Sequence, residues 1–370
     1  MSQSSSRCHG SGLYYLTVTN NGFDAEAKEA ELRTESEKWD TTAPVDAEPG
    51  DIPVIDVSAY LESRSRGDLE ETAEQLAHAC ETVGFWQLVG HDITPDLIAN
   101  AFGAMTNFHS LANEVKEQIR MDRPDWPLTG VGYLPVGNRK LPARSTGNEN
   151  EAFIIKSDRD IESADNQWLP EDQVPGFRST VEVFGQALEA LALDLLPIYA
   201  TALGLEPGWF APGFEHPFWR LRMTRYPAAP KPKDLSPVSD HIGSKRGTNL
   251  SYGINPHVDT TFSTLLLQDS PGLTIFHTPK QQWINVPVVD NAFVVNSGEL
   301  LRQWSNDRYL SVRHFANATY ADQDRYSIPF FFNATRDYPM ECIPTCCDAD
   351  NPAKYPTISY NESQGVVQGE

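Results

Sequence analysis

The chain has 370 residues, 40% hydrophobic and 10% aromatic, enough to bury a large core in one big domain or two modest ones. Its 51 acidic residues against 29 basic ones give a formal charge of -22, which repels polyanions and argues against DNA, RNA or an anionic membrane as a partner. No run approaches the roughly 20 apolar residues of a membrane helix, the polar N-terminus lacks an apolar signal core, and five cysteines do not make a disulfide framework, so a reducing cytoplasm is the expected setting.

In chain order, residues 1–50 hold few large apolar side chains after Tyr14-Tyr-Leu-Thr-Val18 and read as a polar extension, flexible or loosely docked. The domain proper opens with the β-branched run Ile52-Pro-Val-Ile-Asp56. Asp68 and Glu71 have the spacing of an N-cap and its reciprocal partner, and the stripe Leu69, Ala73, Leu76, Ala77, Cys80 and Val83 predicts a helix ending at Gly84. Phe85-Trp-Gln-Leu-Val89 then reads as a strand, and Leu97, Ile98, Ala101, Phe102, Met105 and Phe108 as the core face of a second helix. Residues 122–150 are rich in Pro and Gly and read as loop with one short strand, before Glu151-Ala-Phe-Ile-Ile155. A third helix, about 177–203, should be kinked or cut short by Pro197.

From Trp219 the character changes to strands. Residues 218–226 alternate, with Trp219, Leu221 and Met223 on one face and Arg220, Arg222, Thr224 and Tyr226 on the other. Short apolar runs follow at 264–267, 273–276, 283–286, 292–296 and 326–332, separated by Gly, Asp, Asn and Pro, which suggests a sandwich or barrel following the helices. Among these runs lies Pro256-His-Val-Asp259. Residues i and i+2 of a strand share a face, so His257 and Asp259 converge on one point. Such a pair alone is common as a hydrogen-bonded strand histidine. A third group, for which His314 is the candidate, would complete two imidazoles and one carboxylate, the set used by non-haem Fe(II) oxygenases. His241 is a weaker rival because it lies in a Gly-rich stretch.

Several pieces, in order, resemble the isopenicillin N synthase-like branch of the Fe(II)/2-oxoglutarate-dependent dioxygenases. They are Ile52-Pro-Val-Ile-Asp56, residues 79–91, Arg225-Tyr-Pro227, Pro256-His-Val-Asp259, residues 265–269, Val294-Val-Asn-Ser-Gly-Glu-Leu300, His314 and Arg325-Tyr-Ser-Ile-Pro-Phe-Phe-Phe332. The resemblance implies a mixed α+β fold, a distorted double-stranded β-helix or jelly-roll barrel with flanking helices. It implies one domain over 51–370, with a helical part to about 215, a jelly-roll core at about 216–335 and a C-terminal segment at 336–370.

By the same resemblance His257, Asp259 and His314 are the Fe(II) ligands, and 2-oxoglutarate and O2 take the remaining positions. Arg325 and Ser327 match the pair that grips the far carboxylate of 2-oxoglutarate, a role suited to a guanidinium fork, and Tyr226 resembles the tyrosine that assists it. Phe331 shares the face of Arg325 and Ser327, and Arg222 that of Tyr226; both are candidate contacts of a small-molecule substrate, an amino acid or a specialised metabolite. The stretch 227–256 is longer than the family's usual and is read as a lid. Two alternatives remain open: an oxidase of the isopenicillin N synthase type that needs no 2-oxoglutarate, and a non-catalytic jelly-roll ligand binder.

Overall fold

The computed structural model describes residues 43–121, 130–137, 148–157, 166–230, 252–319 and 321–364, with the backbone of 238–239 and 245–246 besides. In chain order its main elements are β1 (Val45–Asp46), β2 (Val54–Asp56), α1 (Ser58–Ser63), α2 (Arg66–Thr82), β3 (Phe85–Val89), α3 (Pro95–His109), β4 (Gly132–Leu134), β5 (Glu151–Lys156) and α4 (Phe177–Ala202). The second half supplies β6 (Phe218–Tyr226), β7 (Tyr252–His257), β8 (Ser263–Gln268), β9 (Leu273–His277), β10 (Gln282–Asn285), β11 (Phe293–Ser297), α5 (Glu299–Trp304), β12 (His314–Asn317) and β13 (Arg325–Asn333).

The strands form two large sheets. One has eight strands in the order β2-β3-β11-β8-β13-β6-β5-β4, the other five in the order β1-β10-β9-β12-β7. This is a mixed α+β double-stranded β-helix with helices packed outside. Alternation along β6 assigns the two faces. Trp219, Leu221 and Met223 join the core shared with α4, whereas Arg222, Thr224 and Tyr226 stand on the opposite face. The same alternation sends Ile328, Phe330 and Phe332 of β13 to the helical core and leaves Arg325, Ser327 and Phe331 on the other side. A second core, with Phe85 and Val294 from the eight-stranded sheet and Ile275, Trp283 and Phe315 from the five-stranded one, joins the sheets.

Two local expectations are corrected, and a third is made specific. Helix α2 starts earlier than the Asp68 cap: Ser65 has extended backbone and its hydroxyl accepts the Asp68 N–H, so Asp68 lies in the first turn. Pro197 does not end α4, because the turns around it bury Leu195, Leu196, Ile198 and Tyr199 in the main core, which outweighs the one backbone bond Pro197 cannot donate. The end of the N-terminal extension is docked. Val45 and Asp46 pair in parallel with Ile284 and Asn285, and Lys280 bonds Glu48 at 2.6 Å and Asp51 at 2.8 Å. Residues 1–42, with Tyr14 to Val18, lie outside the described residues. Among the described residues no helix is long and apolar enough to cross a membrane.

Candidate functional site

Strand β7 ends at His257 and β12 begins at His314, and the two are paired across an antiparallel ladder. Their rings therefore meet, with centroids 4.3 Å apart. Asp259, two residues beyond His257, brings Oδ1 to 3.5 Å from His257 Nε2 and 3.6 Å from His314 Nε2. One ligand atom from each of the three lies within 4.8 Å of the others, so the group could hold a metal ion.

Both imidazoles are oriented by the backbone. Nδ1 of His257 donates to Asn255 O at 2.8 Å, and Nδ1 of His314 donates to Val312 O at 3.1 Å, which leaves each Nε2 lone pair for a ligand. Burial, and then His314, push the His257 imidazole below its ordinary value. Burial opposes charge on His314 too, but Asp259 outweighs it and holds His314 above its ordinary value. Burial likewise opposes the charge of Asp259, but the two histidines outweigh it and hold the carboxyl well below the usual carboxylate range. Two nitrogen donors and one carboxylate oxygen suit Fe(II) with open positions opposite the protein.

The other oxygen of Asp259 is held by groups that sequence reasoning missed. Oδ2 accepts from Thr264 Oγ1 at 2.8 Å and from Asn296 Nδ2 at 3.0 Å. Thr264 on β8 and Asn296 on β11 are direct register partners, so adjacent strands present two donors to one acceptor. The available signal was Asn296 itself, a polar side chain in the apolar run Phe293-Val-Val-Asn, which must find a partner when buried.

Arg325 opens β13 opposite Tyr226 and is only 2% exposed. Its Nε donates to Ser270 O at 3.1 Å, its Nη2 to Gln268 Oε1 at 3.0 Å, and the guanidinium lies 4.6 Å from the Tyr226 ring centroid. Nη1 has no partner, and no carboxylate pairs with this guanidinium among the described residues. Beside it, Tyr226 Oη and Ser327 Oγ are 3.3 Å apart. The chain passes so close at Gly272 that a Cβ there would lie 2.5 Å from Arg325 Nε. Thr224, opposite Ser327, is a further residue that the sequence did not single out; it is fully buried and its hydroxyl has no partner among the described residues. A buried cation and unsatisfied hydroxyl on one barrel face call for an anion.

Arg222 is buried on the face of Tyr226 and donates from Nη2 to Asn150 Oδ1 at 2.6 Å. Phe331 is half-buried and stands opposite Thr264 and Arg220. The candidate contacts thus share the inner face with Arg325. His241 and most of the stretch read as a lid lie outside the described residues.

The comparisons agree with this geometry. Residues 220–334 match the model of the 2OG-Fe(II) oxygenase superfamily, and residues 52–175 that of the non-haem dioxygenase in morphine synthesis N-terminal region. The chain is 31% identical over 324 residues to the 2-oxoglutarate-Fe(II) type oxidoreductase hxnY of Emericella nidulans, covering 84% of this chain and 87% of the relative. It is 30% identical over 304 residues to the 2-oxoglutarate-dependent dioxygenase citB of Monascus ruber, covering 78% of this chain and 86% of the relative. The crystal structure of a full-length Neurospora crassa protein in complex with alpha-KG and thymine is 27% identical, with a TM-score of 0.72 over 86% of this chain and 97% of that one. These likenesses favour 2-oxoglutarate dependence over the two alternatives. The chain belongs to the Fe(II)/2-oxoglutarate-dependent dioxygenases, in their isopenicillin N synthase-like branch, and is an oxidoreductase that uses Fe(II), 2-oxoglutarate and O2 to oxidise a small molecule.

Proposed function

We propose that His257, Asp259 and His314 hold the iron, that Arg325, Ser327 and Tyr226 hold the far carboxylate of 2-oxoglutarate, and that Arg222 and Phe331 meet the prime substrate. All of this lies in one dioxygenase domain over 51–370. The observation that carries the reading is the buried Arg325 guanidinium, which has a free donor and no acidic partner among the described residues. A dicarboxylate with one end on that guanidinium supplies the missing charge, and a bidentate fork suits it better than a Lys ammonium would.

Bound Fe(II) supplies activation of O2 coupled to oxidative decarboxylation of 2-oxoglutarate, giving CO2 and succinate. The chain's own residues do the positioning. The backbone carbonyls of Asn255 and Val312 fix the imidazole tautomers, and Thr264 and Asn296 fix the carboxylate. Phe331 offers an apolar wall, and Arg222 offers a donor to a carboxylate or carbonyl oxygen. A small metabolite with a flat apolar part and an acceptor oxygen fits this pair, and the alpha-KG and thymine complex of the Neurospora crassa relative supports that class.

The test measures O2 uptake and succinate release with Fe(II) across small metabolites, amino acids and heterocycles, with and without 2-oxoglutarate. Substrate-stimulated succinate release that needs 2-oxoglutarate is expected. Oxidation that proceeds equally without 2-oxoglutarate would overturn the assignment of Arg325.

A further inference from the structure

The C-terminal segment carries three of the five cysteines within six residues, at Cys342, Cys346 and Cys347. A single turn at Pro344–Cys346, closed by Cys346 N–H to Ile343 O at 2.8 Å, folds the chain back between the outer two. As a result both outer sulfurs use the same acceptor: Cys342 Sγ is 3.8 Å and Cys347 Sγ 3.7 Å from Ile343 O. The two sulfurs thus converge on one carbonyl oxygen from the two ends of the turn. Both are partly exposed, whereas Cys346 and Cys80 are buried, and all four are free thiols.

We propose that Cys342 and Cys347 form a reversible disulfide when the protein meets a peroxide, which makes this turn a redox modification site. The chemistry balances in two steps. The Cys347 sulfur attacks one peroxide oxygen, the O–O bond breaks, and water leaves a sulfenic acid behind. The Cys342 sulfur then attacks the sulfenic sulfur, the S–O bond breaks, and a second water leaves with the Cys342 proton. Two thiols lose two electrons and two hydrogens, and one peroxide becomes two waters. Burial, and then Cys347, push the Cys342 thiol up, which keeps its proton in place until the second step.

The surroundings suit this exchange. Ile343 O keeps the Cys346 N–H when both S–H donors are lost, so the turn retains its backbone bond. The segment is anchored independently of its thiols: Ile343 N–H donates to Trp304 O at 2.9 Å, and Cys346 O accepts from Asn306 Nδ2 at 3.1 Å. Trp304 ends α5, and the first residue of that helix, Glu299, donates its N–H to Asp259 O at 2.7 Å. The thiol pair therefore lies on a segment whose backbone is bonded to the far end of a helix whose near end touches a proposed iron ligand.

The experiment treats the full-length protein with hydrogen peroxide in a chelating buffer, alkylates the remaining thiols and maps the peptides by mass spectrometry. Trypsin cleavage after Arg336 and Lys354 leaves all three cysteines on one peptide. That peptide should be two hydrogens lighter with a single alkylated cysteine, Cys346, and dithiothreitol should restore three. Cys346→Ser should still form the bond, while Cys342→Ser and Cys347→Ser should not. A peptide that keeps three alkylatable thiols, a bond that includes Cys346, or oxidation that ends in sulfinic acids on separate cysteines would overturn the proposal.

Discussion

Thr264 Oγ1 donates to Asp259 Oδ2 at 2.8 Å, and because Thr264 stands opposite Asn296 on the neighbouring strand, the same oxygen takes a second bond at 3.0 Å. One carboxylate oxygen is occupied by donors, and Oδ1 is turned toward His257 and His314. The carboxylate reaches the metal position already oriented, with no rotamer freedom left to lose there.

Thr264→Val should therefore weaken Fe(II) binding about 10- to 100-fold, while Thr264→Ser restores it. Anaerobic metal titration reads the difference. Equal loss in both variants would mean that the methyl group's packing, and not the hydroxyl, matters.

Two imidazoles and an anionic carboxylate held in place before the ion arrives imply that metal binding stabilises the fold. Anaerobic Fe(II) at about 100 times its Kd should add about 2.7 kcal/mol by mass action. Differential scanning calorimetry should show the rise in Tm, and a chelator should reverse it. Asp259→Ala should lose both this rise and iron-dependent succinate formation; undiminished turnover in that variant would remove the metal assignment.

Arg325→Lys keeps the charge but loses the fork. The 2-oxoglutarate requirement should rise about 10- to 150-fold, the value of a charge-assisted hydrogen bond, with Fe(II) affinity unchanged. Gly272→Ala should act in the same direction, because its Cβ would displace the guanidinium. Saturation curves for 2-oxoglutarate and for the prime substrate separate the cases, since an equal effect on both counts against a cosubstrate role.

A second charged centre supports the sheet from behind. Buried Glu151 accepts from Lys116 Nζ at 2.9 Å, Tyr133 Oη at 2.5 Å and Arg225 Nη1 at 2.7 Å. Burial opposes its ionisation, but His109, Lys116 and Tyr133 outweigh it and hold the carboxyl well below the usual range. A depressed carboxyl contributes its full stability above the unfolded value, about 4.3 for Glu, and loses it as pH falls from there toward the folded value. Glu151→Gln should cost about 3–5 kcal/mol at neutral pH, because Lys116 is left buried without its anion. Denaturant unfolding should show the gap narrowing below about pH 4, and a gap constant across that range would assign the loss to packing.

The His257 and Asp259 pair, the Arg325 and Ser327 pair and the two faces of β6 were legible in the sequence. The last two depend on residues two apart in a strand, where backbone geometry alone makes side chains share a face, whereas Asp259 lies two residues past the end of β7 and still reaches His257. The ordered motifs then placed them within one family. Nothing local announced that Thr264 and Asn296 would meet on Asp259 Oδ2. That follows from the register of β8 against β11, which is set by which apolar residues each strand buries. The continuation of α4 through Pro197 and the docking of Val45 and Asp46 on β10 likewise went to the arrangement with the better long-range partners, whereas the Ser65 cap is a local bond to the Asp68 N–H. The Glu151 centre draws on α3, β4, β5, β6 and the short helix at Asn113–Lys116, so no single stretch contains its signal. Spacing along the chain determined which groups could act together, and packing between sheets and helices decided which polar atoms were left to bind a ligand, because burial makes every unmatched donor or acceptor costly.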